Sequence, residues 1–252
     1  MLSGNNLRFC HEPCSPQFLV ETSEAEQVFA VDLDKDYDND ILSASTGSPI
    51  VWHENKGGKF FQSHKISDIL STRRTVQASD IDNDGDLDLV VTKYLDVALI
   101  TDRECLDARS QRTYCNPTIY HAPMHDSLFI NNGDGTFTDA TESSGFSKLK
   151  GTGLGVFISD LTSDNLPDIF IANDAMPDRL WVNQGNGTFV DEAMNRNIAM
   201  DDSGVAKAGM GATPVDVDQD GDFDVFVSNI YGEADSFYRN EGDYFIDITR
   251  RS

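Results

Sequence analysis

The sequence predicts an all-β fold: a β-propeller of four-stranded antiparallel blades, with four blades visible and a larger ring left open. Three observations carry this. An Asp-rich loop recurs four times, as VDLDKDYDND (31–40), SDIDNDGDLD (79–88), SDLTSDNLPD (159–168) and VDVDQDGDFD (215–224). Each loop is followed by a short apolar run. A second motif then places an apolar or aromatic pair, an asparagine, a Gly-rich turn and an aromatic residue in order: VWHENKGGKF, LFINNGDGTF, LWVNQGNGTF and FYRNEGDYF. From the first loop Asp to that asparagine the spacing is 23, 51, 23 and 24 residues, so one unit carries an insertion.

Within each unit the first strand ends at the Asp loop, as at 28–31 and 155–158. The second is the apolar run at 41–44, 89–91, 169–172 and 225–227. The third is the apolar or aromatic pair, which puts Trp52 and Trp181 in the core between blades. The fourth follows the NGDGTF-type turn, as at 136–140 and 188–191; Asn-Gly and Asp-Gly between β-formers are hairpin signals. Glycines at 151–155 and 209–211 lead into later first strands, where they permit tight turns or close backbone approach. A lone blade cannot bury both faces, so blades must stack; a solenoid or stacked sandwich is the competing all-β arrangement. The chain divides into an N-terminal segment, 1–25, and a propeller domain, 26–252, with an insert at about 95–126. Residues 17–21 are expected either as a strand closing the ring or as the tail of a preceding blade.

The loops also predict a ligand. Carboxylates at every second position of a tight turn converge, and hard oxygen donors at that density suit Ca²⁺. Counting the first Asp as position 1, side chains at positions 1, 3, 5 and 9 and the backbone at position 7 are the expected donors. The second loop offers Asp80, Asp82, Asp84, Asp86 and Asp88, with Gly85 at the bend; the fourth offers Asp216, Asp218, Asp220, Asp222 and Asp224, with Gly221. The first offers Asp32, Asp34, Asp36 and Asp40, but Tyr37 stands at the bend, where positive φ would strain it and a different geometry is expected. The third keeps Asp160, Asp164 and Asp168 but has Thr162 at position 3, and the weakest binding is expected there. An EF-hand begins with a similar run but needs a Glu at position 12, where this chain has Val91 or Val227. Mg²⁺ fits less well because it demands a strict octahedron.

Net charge is −24, and 18 of the 43 acidic residues lie in the four loops, so the acidity is mostly local. Nucleic acid and anionic membrane are poor partners for such a chain. No stretch approaches the length of a membrane helix, and no signal peptide is visible in the first twenty residues. Cys105 and Cys115 lie in the insert and Cys10 and Cys14 near the N-terminus, a pattern that predicts two local disulfides and an oxidising compartment. GxSxG, HExxH and P-loop patterns are absent. His121 and His125 flank Pro123 and read as surface residues, His53 as packing or rim. The sequon Asn186-Gly187-Thr188 is explained by its hairpin turn. The insert carries Arg103, Arg109, Arg112, Tyr114, Tyr120 and His121 and reads as the main partner-binding surface, and its stretch between Cys105 and Cys115 shows no evident core of its own.

An Asp loop followed by an N-x-GDGTF turn resembles the FG-GAP/VCBS repeat, the blade of integrin α-subunit propellers. The stretches GTGLGVFISDLTSDNLPDIFIAND and AGMGATPVDVDQDGDFDVFV are similar to the cartilage acidic protein family and its bacterial relatives. The resemblance covers about 26–249 and implies an extracellular or periplasmic, calcium-stabilised propeller used for adhesion or ligand display. It also implies a seven-bladed ring, with further blades or domains in a longer chain. The expected partner is a protein or polysaccharide ligand. The alternative is the scaffold of a propeller enzyme such as a polysaccharide lyase.

Overall fold

The computed structural model describes residues 6–9, 17–21, 27–68, 75–100, 103–107 and 109–249. Two short strands, β1 (Asn6–Phe9) and β2 (Gln17–Glu21), pair antiparallel with each other and join none of the larger sheets. Cys10 and Cys14 lie outside the described residues. Four sheets of four strands follow, each a sequential antiparallel meander. The first is β3 (Gln27–Val31), β4 (Asp40–Ala44), β5 (Ile50–Asn55) and β6 (Phe61–Ser67). The second is β7 (Val76–Ser79), β8 (Asp88–Val91), β9 (Ser127–Asn131) and β10 (Phe137–Asp139). The third is β11 (Gly153–Ser159), β12 (Asp168–Asn173), β13 (Arg179–Asn183) and β14 (Phe189–Asp191). The fourth is β15 (Gly209–Val215), β16 (Asp224–Asn229), β17 (Ser236–Asn240) and β18 (Phe245–Asp247).

Register fixes the loops. Val31 pairs with Asp40, Ser79 with Asp88, Ser159 with Asp168 and Val215 with Asp224, so every Asp loop is a hairpin connection held at its base by the last rungs of the ladder. β4, β8 and β12 are buried along their whole length. That explains their continuous apolar runs: both faces of each second strand are covered, so alternation is lost.

The core lies between blades. Leu33, Leu42 and Trp52 of the first pack on Leu89, Val91 and Phe129 of the second. Val90, Leu128 and Phe146 meet Ile169, Ile171 and Trp181 of the third, where the Phe146 and Trp181 rings stack at 4.6 Å. Phe157, Phe170 and Leu180 meet Val225, Tyr238 and Phe245 of the fourth. At the inner strands the third and fourth blades nearly touch: a Cβ on Gly155 would lie 2.6 Å from the Cα of Gly211, so only glycine fits. Among the described residues the succession of sheets does not close into a ring. Leu33, Ile81 and Leu161, at position 2 of their loops, are buried by the next blade, whereas Val217 at the same position of the fourth is 48% exposed.

The insert leaves the second blade between β8 and β9 and is pinned at both ends. The Lys93 N–H donates to Asp126 Oδ1 at 2.9 Å, and Asp96 N–H to Ala122 O at 3.0 Å. Cys105 and Cys115 form the expected disulfide. At the base of the insert Tyr94, Leu95 and Ala122 are buried together, with Ile100, Tyr120 and Leu154 against them. The Tyr94 and Tyr114 hydroxyls both donate to Asp174 Oδ2, the former at 2.6 Å, which anchors the insert to the third blade.

Candidate metal centres

The four loops share one frame. The position-9 residues Asp40, Asp88, Asp168 and Asp224 are fully buried. In each, Oδ2 accepts the position-2 N–H, from Leu33, Ile81, Leu161 and Val217, at 2.9–3.1 Å. Oδ1 accepts the N–H of the third-strand asparagine, from Asn55, Asn131, Asn183 and Asn240, at 2.7–2.9 Å. The carboxylate thus brackets the loop to the hairpin at the same end of the blade.

Backbone twist is shared as well. Position 4 has positive φ in Lys35, Asn83, Ser163 and Gln219, and position 6 in Tyr37, Gly85, Asn165 and Gly221. The expected departure at Tyr37 is therefore corrected: φ is 71°, and the first loop keeps the common shape. The Tyr37 N–H donates to Asp32 Oδ2 at 3.1 Å, so the bracketed loop imposes a conformation that the residue disfavours. Its side chain is 97% exposed and packs on nothing that a substitution would lose. Tyr37→Gly should accordingly stabilise the chain by about 0.5–1 kcal/mol, the relief of left-handed strain less the extra unfolded-state entropy of glycine. A higher urea midpoint with unchanged m-value would show it; a lower midpoint would mean that Tyr37 is not strained.

Three loops gather carboxylates. Asp32, Asp34 and Asp36 bring oxygens within 4.8 Å of one another, as do Asp80, Asp82 and Asp88, and Asp216, Asp218 and Asp220. Asp40 and Asp224 serve the bracket alone while Asp88 serves the bracket and its group, Asp84 Oδ1 accepts the Asp86 N–H, and Asp86 and Asp222 stand outside the groups. Among the described residues Asp160, Asp164 and Asp168 form no such group. The Thr162 hydroxyl donates to Asp168 Oδ2 at 3.0 Å, and the two Asp160 oxygens accept the N–H groups of Asp164 and Asn165. A further difference separates the loops. Asp32 Oδ1, Asp80 Oδ1 and Asp216 Oδ1 are buried atoms without a hydrogen-bond partner, whereas Asp160 has both oxygens occupied. A buried carboxylate oxygen with no donor is costly and points to a cation. The donor sets, all hard oxygen, fit Ca²⁺.

Crowding is visible in protonation. Burial, opposed by backbone hydrogen bonds and reinforced by neighbouring carboxylates, pushes Asp34 and Asp88 up to about 6; burial and the neighbouring Asp220, Asp224 and Asp218 push Asp222 to about the same value. Burial and neighbouring Asp charges raise Asp82 and Asp218 in the same direction.

The third-strand asparagines, legible in the sequence only as repeat markers, join the blades. Asn131 Nδ2 donates to Leu33 O, Asn183 to Ile81 O and Asn240 to Leu161 O at 3.1–3.3 Å, each reaching position 2 of the preceding blade's loop. At the opposite end of the blades a second recurring carboxylate escaped sequence reasoning. Asp126, Asp178 and Asp235 accept the N–H of Lys93, Asn173 and Asn229. The signal was present as Asp just before the third strand of the second, third and fourth blades, in DSLF, DRLW and DSFY. His53 is buried between the Ser43 and Ser63 hydroxyls at 2.8 Å each. His125 Nδ1 faces Leu149 O, and His121 takes a left-handed turn position.

The family model for the FG-GAP-like repeat matches residues 32–91 and 160–227, together half of the chain, and each stretch includes two of the Asp loops. Cartilage acidic protein 1 of Mus musculus is 34% identical over 103 residues, which are 41% of this chain and 15% of the mouse protein. The Homo sapiens protein is 33% identical over 103 residues with the same coverage, and that of Xenopus tropicalis 33% over 104. The match spans about 15% of the length of these relatives. A solved Agrocybe aegerita lectin, described for recognition of non-reducing terminal N-acetylglucosamine, covers 92% of this chain and 70% of its own at 17% identity, with a TM-score of 0.34.

Proposed function

The chain belongs to the FG-GAP-like repeat family, and from that premise we propose that it is a non-enzymatic, calcium-binding propeller module of the extracellular or periplasmic space that displays a ligand-binding surface. The observation that carries the calcium reading is the donor-less buried oxygen on the first Asp of the first, second and fourth loops only. Asp32, Asp34 and Asp36 would hold one ion, Asp80, Asp82 and Asp88 a second, and Asp216, Asp218 and Asp220 a third. Bound Ca²⁺ would supply positive charge and order to the three loops, of which the first and second are tied to the next blade by Asn131 and Asn183. The disulfide in the insert supports an oxidising compartment.

The partner surface is the insert. It is pinned at its base, so its tip can vary without disturbing the blade. It also presents Arg103 over the Tyr120 ring at 6.0 Å, together with Arg109 and Arg112, on a chain of strongly acidic balance. A protein or polysaccharide bearing negative charge fits that surface. One titration series tests both parts, using the chain and a variant in which residues 97–121 are replaced by a short turn like that joining β12 to β13. Both proteins should take up about three Ca²⁺, and only the full chain should bind a sulfated or carboxylated glycan array or an acidic protein partner. Failure of either protein to bind calcium sinks the metal reading. Retention of partner binding by the shortened chain moves the surface elsewhere.

A further inference from the structure

Basic side chains stand against the loops that gather carboxylates, and they do so differently in each. Lys35, at position 4 of the first loop, reaches across to the second, where its Nζ lies 2.6 Å from Asp86 Oδ1. It also lies over the bend, 3.4 Å from where a Cβ on Gly85 would be, and feels the charges of Asp84 and Asp80. Arg239 precedes Asn240 in β17; its Nε lies 3.9 Å from Asp218 Oδ2, its guanidinium also pairs with Glu241, and Asp224 acts on it as well. The first loop is arranged otherwise. Lys56 pairs with Glu54 rather than with a loop carboxylate, though the charges of Asp34 and Asp36 reach it. Glu54 is buried and also holds His64 and Asp34.

We propose that Lys35 and Arg239 are tethered counter-cations which calcium must displace from the second and fourth loops, setting their affinities below that of the first. The proposal rests on the calcium reading and concerns residues outside the ligand sets. The blade does not demand a cation before its asparagine: the matching residues are Glu54, Ile130 and Val182 in the other three, and the asparagine keeps its backbone bond in all. Nor is either cation locked in place. Both side chains are more than a third exposed, so each can swing into water as a divalent ion enters. A unit charge beside a site for a doubly charged ion is repulsive, and near the surface, where the effective dielectric is high and salt screens, its removal is worth roughly tenfold in affinity.

Competition against a chromophoric chelator at low ionic strength, with a melting curve in excess chelator, reads the effect. Lys35→Met and Arg239→Met should each tighten one site roughly tenfold, while lowering the melting temperature of the metal-free chain, whose carboxylates lose their partner. High salt should erase both differences. Lys56→Met should leave the second and fourth sites within about twofold, because its ammonium stands by the first loop against Glu54. Lys35→Gln and Arg239→Gln, neutral but polar, should reproduce the Met variants and guard against a misfolded one. Unchanged or weaker calcium binding in both neutral variants at each position overturns the proposal. Absence of calcium uptake by the unsubstituted chain overturns it too, but through the site reading, and is told apart because the melting temperature in chelator still falls on substitution.

Discussion

Asp168→Ala should destabilise the chain by about 3–5 kcal/mol, although Asp168 belongs to the loop with the fewest carboxylates. The side chain is fully buried and accepts three hydrogen bonds: Leu161 N–H at 3.0 Å, the Thr162 hydroxyl at 3.0 Å and Asn183 N–H at 2.9 Å. Alanine would strand these donors away from water, at about 1–3 kcal/mol for each buried backbone group. The loss would propagate, because Asn183 positioned by this bond hands its own amide to Ile81 O in the second blade. Asp168→Asn keeps the shape and one acceptor and should cost less, about 1–2 kcal/mol. Asp164→Ala, on an exposed side chain with one local bond, should cost under about 0.5 kcal/mol. Urea denaturation in chelator separates these from any metal effect. An Asp168→Ala midpoint equal to that of Asp164→Ala would refute the bracketing role.

That ranking was not readable from the chain. Spacing identifies where carboxylates recur, and it correctly groups strands, loops and hairpins, because four copies of one pattern average out local ambiguity. Spacing cannot tell which way an aspartate points. Asp40, Asp168 and Asp224 look like a ninth-position ligand in sequence, yet the ladder rung beneath each turns its oxygens toward Leu33, Leu161 and Val217 and toward the next hairpin; Asp88 is bracketed in the same way and still lies with Asp80 and Asp82. Propensity misjudged Tyr37 for a related reason: two hydrogen-bonded anchors, Asp32 and Asp40, outweigh the preference of one exposed residue. The asparagines were legible as markers, but their reach into the preceding blade is a contact over 79–102 residues that no local pattern encodes. The small core of the insert was missed because Tyr94, Leu95 and Ala122 show no period; they meet only because Lys93 and Asp126 close the excursion.

Saturating calcium should raise the melting temperature by at least about 15 °C over the chelated chain. Each site occupied at 100-fold over its Kd adds ~2.7 kcal/mol to the folded state by mass action, so three sites add on the order of 8 kcal/mol. For a chain of this size one kcal/mol moves the melting point by about 2–4 °C. The pH dependence supplies a second, opposed signature. Burial holds the Asp34 and Asp88 carboxyls near 6, above their ordinary value of 3.8, so the metal-free folded chain takes up protons before the unfolded chain does. Its stability therefore rises as pH falls through about 6 and levels off below the unfolded value. Calcium requires the same groups ionised, so protons compete with it over the same window. The melting curves with calcium and with chelator should converge as pH is lowered from about 7 to 5. Two curves that stay parallel across that range would mean that these carboxylates do not hold the ion; a melting temperature indifferent to calcium at every pH would remove the metal from the account of this fold.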